Sequence, residues 1–167
     1  MVTVESRQRI YCCYEERNKG YWDELEVHLA LFKRLGYAVI SCNYDAPAGA
    51  HQARVVENHL ETADIILLLV SAYFIASDFC WETTLRALVR RQTMEVCVIP
   101  ILVTPVVLDG LPIEQLQVLP SLKKPISKWT DRQEAYTVVV RGIQNVIRSR
   151  QLAGGNERQD PLPQGGE

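Results

Sequence analysis

Two kinds of hydrophobic pattern alternate along the chain. Short apolar runs are followed by longer stretches in which apolar residues recur three or four positions apart. The first pattern is typical of buried strands and the second of helices that pack through one face. Strands are predicted at residues 9–14, 37–42, 64–70, 96–103 and 125–128. Helices are predicted at residues 19–35, 52–61 and 77–91, as one turn at 113–117, and from a capping pair at Thr130 and Gln133 to about 149.

One apolar run indicates the type of sheet. Residues 64–70, DIILLLV, show no alternation with polar side chains, as expected for a strand buried on both faces of a parallel sheet. Regular alternation of strands and helices favours right-handed crossovers. The predicted fold class is therefore α/β: a three-layer, flavodoxin-like sandwich whose five-stranded parallel sheet has the order 2-1-3-4-5, with helices on both faces. Pro100 must lie near the end of its strand or on a side without a partner donor.

Spacing within each helix selects the face expected to pack on the sheet. Gly36 is expected to end the first helix, and Ser77 to cap the third. His28 lies at the edge of an apolar face and is interpreted as a packed side chain. The positions predicted to face inward are Trp22, Leu25, Leu29 and Phe32 in the first helix, Val56 and Leu60 in the second, Trp81, Leu85 and Leu88 in the third, and Tyr136, Val139, Val140, Ile143 and Ile147 in the last.

Length and composition favour one folded domain. The 167 residues suffice to bury a core, and residues 1–152 are assigned to it. Residues 153–167 are rich in glycine and proline and lack a hydrophobic period, so they are predicted to be a disordered tail or linker.

Charge and cysteine content exclude several functions. Lys and Arg number 18 against 20 Asp and Glu, which argues against a nucleic-acid binder. No apolar run approaches the roughly 20 residues of a membrane span, and no membrane insertion is expected.

Five scattered cysteines suit free thiols in the cytoplasm, and adjacent Cys12 and Cys13 should point to opposite faces of a strand. Neither a metal-ligand spacing nor a phosphate loop is present in the sequence, so no metal site and no resident cofactor are predicted.

The predicted topology locates a candidate site. In open parallel sheets, ligands bind beyond the carboxyl ends of the strands, near the switch in strand order. That crevice would be bounded by residues 15–18, after the first strand, and by residues 71–77, after the third. Residues 43–50 form a turn-rich loop that could fold over it.

Four segments occur in the order RIYCCYEERN, ADIILLLVSAYFIASDFCWETTLRAL, VIPILV and KPISKW. Together they resemble a TIR domain of the bacterial branch found in defence and signalling proteins. The most specific is ADIILLLVSAYFIASDFCWETTLRAL, in which a central strand precedes an aromatic-rich turn and a Ser-x-aromatic-Cys helix start. RIYCCYEERN, VIPILV and KPISKW are similar to further TIR segments. The resemblance extends from about residue 9 to residue 147.

The resemblance implies two activities. Many TIR domains self-associate through the loop after the second strand, here Tyr44, Asp45, Ala46, Pro47 and Ala48. Others cleave the nicotinamide–ribose bond of NAD, often only once protomers assemble, with a helix glutamate that stabilises the developing oxocarbenium charge. The nucleotide-binding positions that the resemblance implies are Cys13, Tyr14, Asn43, Gly49, Ser77 and Trp81.

The chain departs from the enzymatic pattern at the glutamate. Bacterial relatives place it four residues after the cysteine, and that position is Thr84 here. Glu82 lies roughly 200° around the helix from Thr84 and is expected to point away from where Thr84 points, so it could replace the glutamate only if the helix began in a different register. Other departures are Cys13 for a serine, Asn18 for an aspartate, Asn43 and Tyr44 for an acidic-basic pair, and Gln52 for an aromatic residue.

These departures favour an assembly function. The sequence predicts a TIR module that associates with itself or with other TIR proteins in a bacterial defence pathway, without cleaving NAD. The alternative is an NAD hydrolase activated by oligomerisation, with Glu82 as its carboxylate and NAD as substrate. A third interpretation, a response-regulator relative, is disfavoured because strand three ends in Val70 and Ser71, without a phosphoacceptor aspartate.

Overall fold

Four parallel strands form the central sheet of the computed structural model, which describes residues 7–93 and 96–156. Their order is β2-β1-β3-β4, and each neighbouring pair is parallel. The register sets Ile10 of the first strand opposite Ile40 on one side and Ile65 on the other. The strands are β1 (Gln8–Cys13), β2 (Ala38–Cys42), β3 (Ile65–Val70) and β4 (Cys97–Leu102).

Helices cover both faces of this sheet and create two cores. Side chains alternate between faces along a strand, so β1 supplies Ile10 and Cys12 to one core and Tyr11 and Cys13 to the other. The first core packs against α1 and α5, and the second against α2, α3 and α4. The helices are α1 (Lys19–Arg34), α2 (Gln52–Thr62), α3 (Ala72–Ala76), α4 (Asp78–Gln92) and α5 (Arg132–Asn156).

Several predictions about these layers are confirmed. Every residue of β3 is buried, as its unbroken apolar sequence requires. His28 packs against the Tyr136 ring, with the ring centroids 5.3 Å apart, and its Nε2 lies 2.8 Å from Gln133 Oε1. The predicted inward residues that are buried are Trp22, Leu25, Leu29, Phe32, Val56, Leu60, Tyr136, Val139, Ile143 and Ile147.

Gly36 ends α1 as predicted. Its φ of 71° lies in the left-handed region, and its N–H donates to the Lys33 carbonyl oxygen at 3.1 Å. The Tyr37 N–H donates to the Phe32 carbonyl oxygen at 2.9 Å, which completes the termination. The chain can therefore turn directly into β2.

Replacing Gly36 by alanine should lower the free energy of unfolding by about 1 kcal/mol, because a Cβ disfavours this φ. Gly20→Ala is the matched control: Gly20 is helical, and an added Cβ would meet nothing within 4 Å. Its effect should be neutral or stabilising by about 0.5 kcal/mol, since alanine is the better helix former. Urea denaturation followed by circular dichroism measures both variants. Equal destabilisation of the two would contradict this account of Gly36.

The predicted fifth strand is wrong. Within residues 125–128, Ile126–Lys128 form a short 3₁₀ helix. A single bridge between Leu119 and Ile101 lies beside β4 instead, and in it the Leu119 N–H donates to the Pro100 carbonyl oxygen at 3.0 Å. Prolines at 120 and 125 supply no N–H with which to extend this pairing. Because Pro100 turns its carbonyl to this outer edge, its missing N–H costs β4 no bond to β3.

The predicted inner face of α4 is wrong at two of its three positions. The buried residues of this helix are small, Cys80, Thr83, Thr84 and Ala87. Leu88 is half-buried and packs against the second core as predicted, whereas Leu85 is 42 % exposed and Trp81 is half-buried. A prediction that ranks positions by hydrophobic size therefore selects the flank of this helix. A short helix that was not predicted, α3, lies between β3 and α4.

The start and end of α5 differ from prediction. Asp131 caps it, because the Asp131 Oδ1 accepts from the Gln133 N–H at 2.9 Å, in place of the Thr130–Gln133 pair. The helix continues to Asn156, beyond the predicted start of a tail at residue 153. The rest of that predicted tail, residues 157–167, lies outside the described residues. No helix in the described part of the chain has the length and apolar character needed to cross a membrane.

Candidate functional site

A cleft of about 830 Å³ opens at the carboxyl edge of the sheet, where the sequence predicts a site. One wall follows the end of β1, at Glu15 and Glu16, and another follows β2, at Asn43 and Tyr44. Helices α2 and α4 complete it. Their contributions include Gln52, Val56, Glu57, Ser77, Phe79, Cys80, Glu82, Thr83 and Arg86.

Asn43 joins the strands beneath the cleft. Its Nδ2 donates to the Tyr14 carbonyl oxygen at 2.9 Å, and its Oδ1 accepts from the Tyr14 N–H at 3.1 Å. Both bonds are buried, so the end of β1 is held beside the end of β2. The Tyr14 ring lies 4.9 Å from that of Tyr44 and stacks on Trp22 at 5.9 Å. Burial raises the pKa of Tyr14 above its usual value. Tyr14 is therefore a neutral phenol packed beneath the cleft.

Ser71 joins the loop after β1 to α3. Its hydroxyl donates to Asn18 Oδ1 at 2.6 Å and accepts from the Phe74 N–H at 3.1 Å, so it also caps the short helix. Both partners in the Ser71–Asn18 bond are buried. Asn18, where the TIR pattern has an aspartate, thus acts as a structural acceptor. Sequence reasoning did not assign this role to Ser71, although a serine directly after a buried strand is a possible signal.

Ser77 places the first turn of α4 beside the cleft. Its Oγ accepts from the Cys80 N–H at 3.2 Å, which confirms the predicted cap. Phe79 and Cys80 of this turn line the cleft, and Glu82 and Thr83 follow them on the same helix. The cap therefore determines which α4 side chains face the cleft.

Glu82 and Thr84 lie on different faces of α4. Glu82 is exposed and lines the cleft. Thr84 is 2 % exposed and belongs to the inner face of α4, where its Oγ1 donates to the Cys80 carbonyl oxygen at 2.8 Å. The two side chains do point in different directions, but the one facing the cleft is the carboxylate. The cleft is therefore lined by a carboxylate, although the position of the family glutamate is the buried Thr84.

The remaining predicted site residues divide into three groups. Asn43, Tyr44 and Ser77 line the cleft with Glu82. Cys13 and Tyr14 are buried beneath it. In the described part of the chain, the cleft lining does not include Trp81, Gly49, Asp45, Ala46, Pro47 or Ala48.

Asp45 holds the base of the loop after β2. Its carboxylate accepts from the Cys42 N–H at 2.7 Å and from the Cys42 thiol at 3.2 Å. Gly49, with a φ of 82°, provides a left-handed turn farther along the loop. Most of the loop beyond Asn43 is exposed. The loop thus has a fixed base and an accessible tip.

The cleft carries an acidic surface. Glu15, Glu16, Glu57 and Glu82 all line it. Arg86 offsets part of this charge, but its guanidinium already pairs with Glu57 at 3.1 Å and with Glu61 at 3.7 Å. The sequence places residues 15–18, which include Glu15 and Glu16, at this crevice, but it does not identify Glu57 or Arg86 as part of it.

Comparisons with known proteins agree with this fold. No family model matches the chain. The chain is similar to the uncharacterized protein y4lF of Sinorhizobium fredii, at 37 % identity over 137 residues, covering 80 % of this chain and 42 % of that protein. It thus spans less than half of that relative. The TIR domain of the Toll-related receptor TRR-2 from Hydra magnipapillata superimposes with a TM-score of 0.55 and 18 % identity, over 83 % of this chain and 97 % of that domain. The chain therefore has the α/β fold of a TIR domain.

Proposed function

We propose that this domain binds NAD in the cleft and breaks its nicotinamide–ribose bond, with Glu82 as the essential carboxylate. The supporting observation is the exposed side chain of Glu82 on the cleft wall, on a different face of α4 from buried Thr84. This reverses the preference drawn from the sequence, which rested on a pocket without a carboxylate.

The chemistry requires an anion beside the ribose. As the bond to nicotinamide lengthens, its electron pair leaves with the neutral nicotinamide, and positive charge develops on the ribose carbon and ring oxygen. A carboxylate held nearby stabilises that charge more strongly in the transition state than in the ground state. Water then adds to the ribose carbon, and the products are nicotinamide, ADP-ribose and a proton.

Two aromatic side chains offer surfaces for the rings of the substrate. Tyr44 and Phe79 line the cleft and are 44 % and 43 % exposed. Flat rings such as nicotinamide and adenine stack favourably on such surfaces. The first turn of α4 contains Phe79 and ends just before Glu82, and the positive end of the helix dipole there favours the pyrophosphate. The cleft thus offers groups suited to the two rings, the reacting ribose and the pyrophosphate of the proposed substrate.

The acidic lining makes a distinctive prediction about salt. NAD carries a net negative charge, so the glutamates repel its phosphates while they attract its cationic nicotinamide riboside end. Raising NaCl from about 0.05 M to about 0.3 M should lower the KM for NAD about twofold, because added salt screens that repulsion. Initial rates of nicotinamide release measure this effect. A KM that rises with salt would show that binding depends on unscreened attraction instead.

The loop after β2 supports a second proposed function, association with another copy or with a partner of the same fold in a bacterial defence pathway. The supporting observation is its exposed tip on an anchored base, next to the cleft. Sedimentation velocity over a range of concentrations tests this proposal. A charge added to the loop, Pro47→Asp, should weaken association, whereas Ala153→Asp on exposed α5 should not. Equal behaviour of both variants would exclude the loop as the contact.

Nicotinamide release is the direct test of the proposed reaction. The full chain is incubated with NAD at concentrations on both sides of any association detected by sedimentation, and the products are separated by chromatography. Release of nicotinamide and ADP-ribose in equal amounts is expected. Absence of release at every concentration would overturn the enzymatic proposal and leave association as the supported function.

A further inference from the structure

Two cysteines meet beneath the cleft. Cys13 ends β1 and Cys80 lies in the first turn of α4, and their Sγ atoms are 3.9 Å apart although 67 positions separate them in the chain. Their exposed fractions are 0 % and 1 %. Both thiols are free. The core thus contains a pair of thiols in van der Waals contact across two different elements.

The two thiols are chemically unequal. The Cys13 thiol donates to the Cys80 sulfur, and this hydrogen bond lowers the pKa of Cys80. Burial raises the pKa of Cys13 well above its usual value. Cys80 also lines the cleft, so it is the thiol of the pair nearer to small solutes there, whereas Cys13 lies behind it. A nucleophilic thiol in front of a second thiol is the arrangement that favours disulfide formation over further oxidation.

We propose that Cys13 and Cys80 are an oxidative modification site, at which a peroxide entering the cleft produces a reversible disulfide between β1 and α4. The Cys80 thiolate attacks one oxygen of the peroxide and forms a sulfenic acid, while the other oxygen leaves as hydroxide or alkoxide and takes up a proton. The Cys13 sulfur then attacks the Cys80 sulfur, the sulfenic oxygen leaves as water with the Cys13 proton, and the S–S bond forms.

The other cysteines are placed differently. Cys12 points into the core on the opposite side of the sheet, as its neighbouring position on β1 requires. Cys42 lies in that same core, and Asp45 accepts from its thiol. Cys97 is half-buried at the start of β4, and burial raises its pKa. These positions make Cys12→Ser and Cys97→Ser natural controls.

The bond would alter the cleft itself. A disulfide requires the two sulfur atoms to approach to about 2 Å, so the first turn of α4 and the end of β1 must shift or their side chains rotate. Phe79 lies in that turn and Glu82 directly after it, and both side chains line the cleft. This modification can be measured without any turnover of NAD, so its failure would leave the proposed reaction untouched.

Peptide mapping tests the proposal. The full chain is treated with hydrogen peroxide, remaining thiols are blocked with N-ethylmaleimide, and tryptic peptides are compared by mass spectrometry with and without dithiothreitol. The expected product is a cross-link between residues 10–17 and 55–86, lighter by two hydrogen atoms and lost on reduction. It should persist in Cys12→Ser and Cys97→Ser and disappear in Cys13→Ser and Cys80→Ser.

Each alternative outcome is decisive. A cross-link that survives in Cys13→Ser, or one formed only through Cys97, would overturn the assignment. So would conversion of Cys80 in the wild-type protein to a sulfinic acid without any cross-link. If Cys13→Ser does not fold, as judged by circular dichroism, tandem spectra of the wild-type cross-link assign the bond to Cys12 or Cys13 directly.

Discussion

Glu82→Gln should reduce the kcat for nicotinamide release about 10²–10³-fold, the cost of removing one electrostatic stabiliser of a transition state. Glutamine keeps the size of the side chain and removes its charge, so the KM for NAD should change by no more than about threefold if Glu82 acts mainly after binding. Steady-state rates across a range of NAD concentrations separate the two parameters.

The matched control for this change is Glu26→Gln. Glu26 is an exposed glutamate on α1, outside the residues that line the described cleft. The Glu26→Gln variant loses the same charge at a different place, so its kcat should equal that of the wild-type protein. Equal losses in the two variants would mean that overall charge, and not the position of Glu82, governs the rate.

Thr84→Glu should destabilise the fold by about 3–5 kcal/mol, because it places a carboxylate in the core. Thr84 is 2 % exposed, and its neighbours on the inner face of α4 are Cys80, Thr83 and Ala87. The midpoint of urea denaturation, followed by circular dichroism, measures the loss. A loss of this size is a large part of the roughly 5–15 kcal/mol by which domains are stable.

Thr84→Val separates burial from hydrogen bonding. Valine has nearly the same shape and gives up only the bond from the Thr84 hydroxyl to the Cys80 carbonyl oxygen. The expected cost is about 1 kcal/mol or less. A Thr84→Glu variant as stable as the wild-type protein, with increased nicotinamide release, would place residue 84 in the cleft and contradict the orientation of α4 described above.

The sequence was most informative where burial is uniform or strictly periodic. The unbroken apolar run before Ser71 identified the central strand, and the spacing from Trp22 to Phe32 identified the inner face of α1. Gly36 marked the end of that helix. In each case, one physical requirement acts on adjacent residues, so local pattern and fold agree.

The face of α4 could not be obtained this way. Its inner residues are small or polar, so hydrophobic spacing favoured Trp81 and Leu85 on the flank. Thr84 is acceptable in the core only because its hydroxyl bonds to the Cys80 carbonyl within the helix. That arrangement depends on how α4 is placed against the sheet, which is a property of the tertiary structure.

The location of the cleft was predictable, but its chemistry was less so. The rule that ligands bind at the carboxyl edge of a parallel sheet brought Asn43, Tyr44 and Ser77 together. The orientation of Glu82 could not be predicted, because it depends on how α4 is rotated about its own axis. The error at the predicted fifth strand has a similar cause. The outer edge of β4 pairs at Pro100 with Leu119, and no local sequence pattern links these two segments.

One comparison tests the central claim most directly: nicotinamide release from NAD by the wild-type protein, Glu82→Gln and Thr84→Val under identical conditions. The account predicts release by the wild-type protein and by Thr84→Val, and its loss in Glu82→Gln while that variant remains folded. Release retained by Glu82→Gln, or lost in a folded Thr84→Val, would contradict the assignment of the reacting carboxylate to this face of α4.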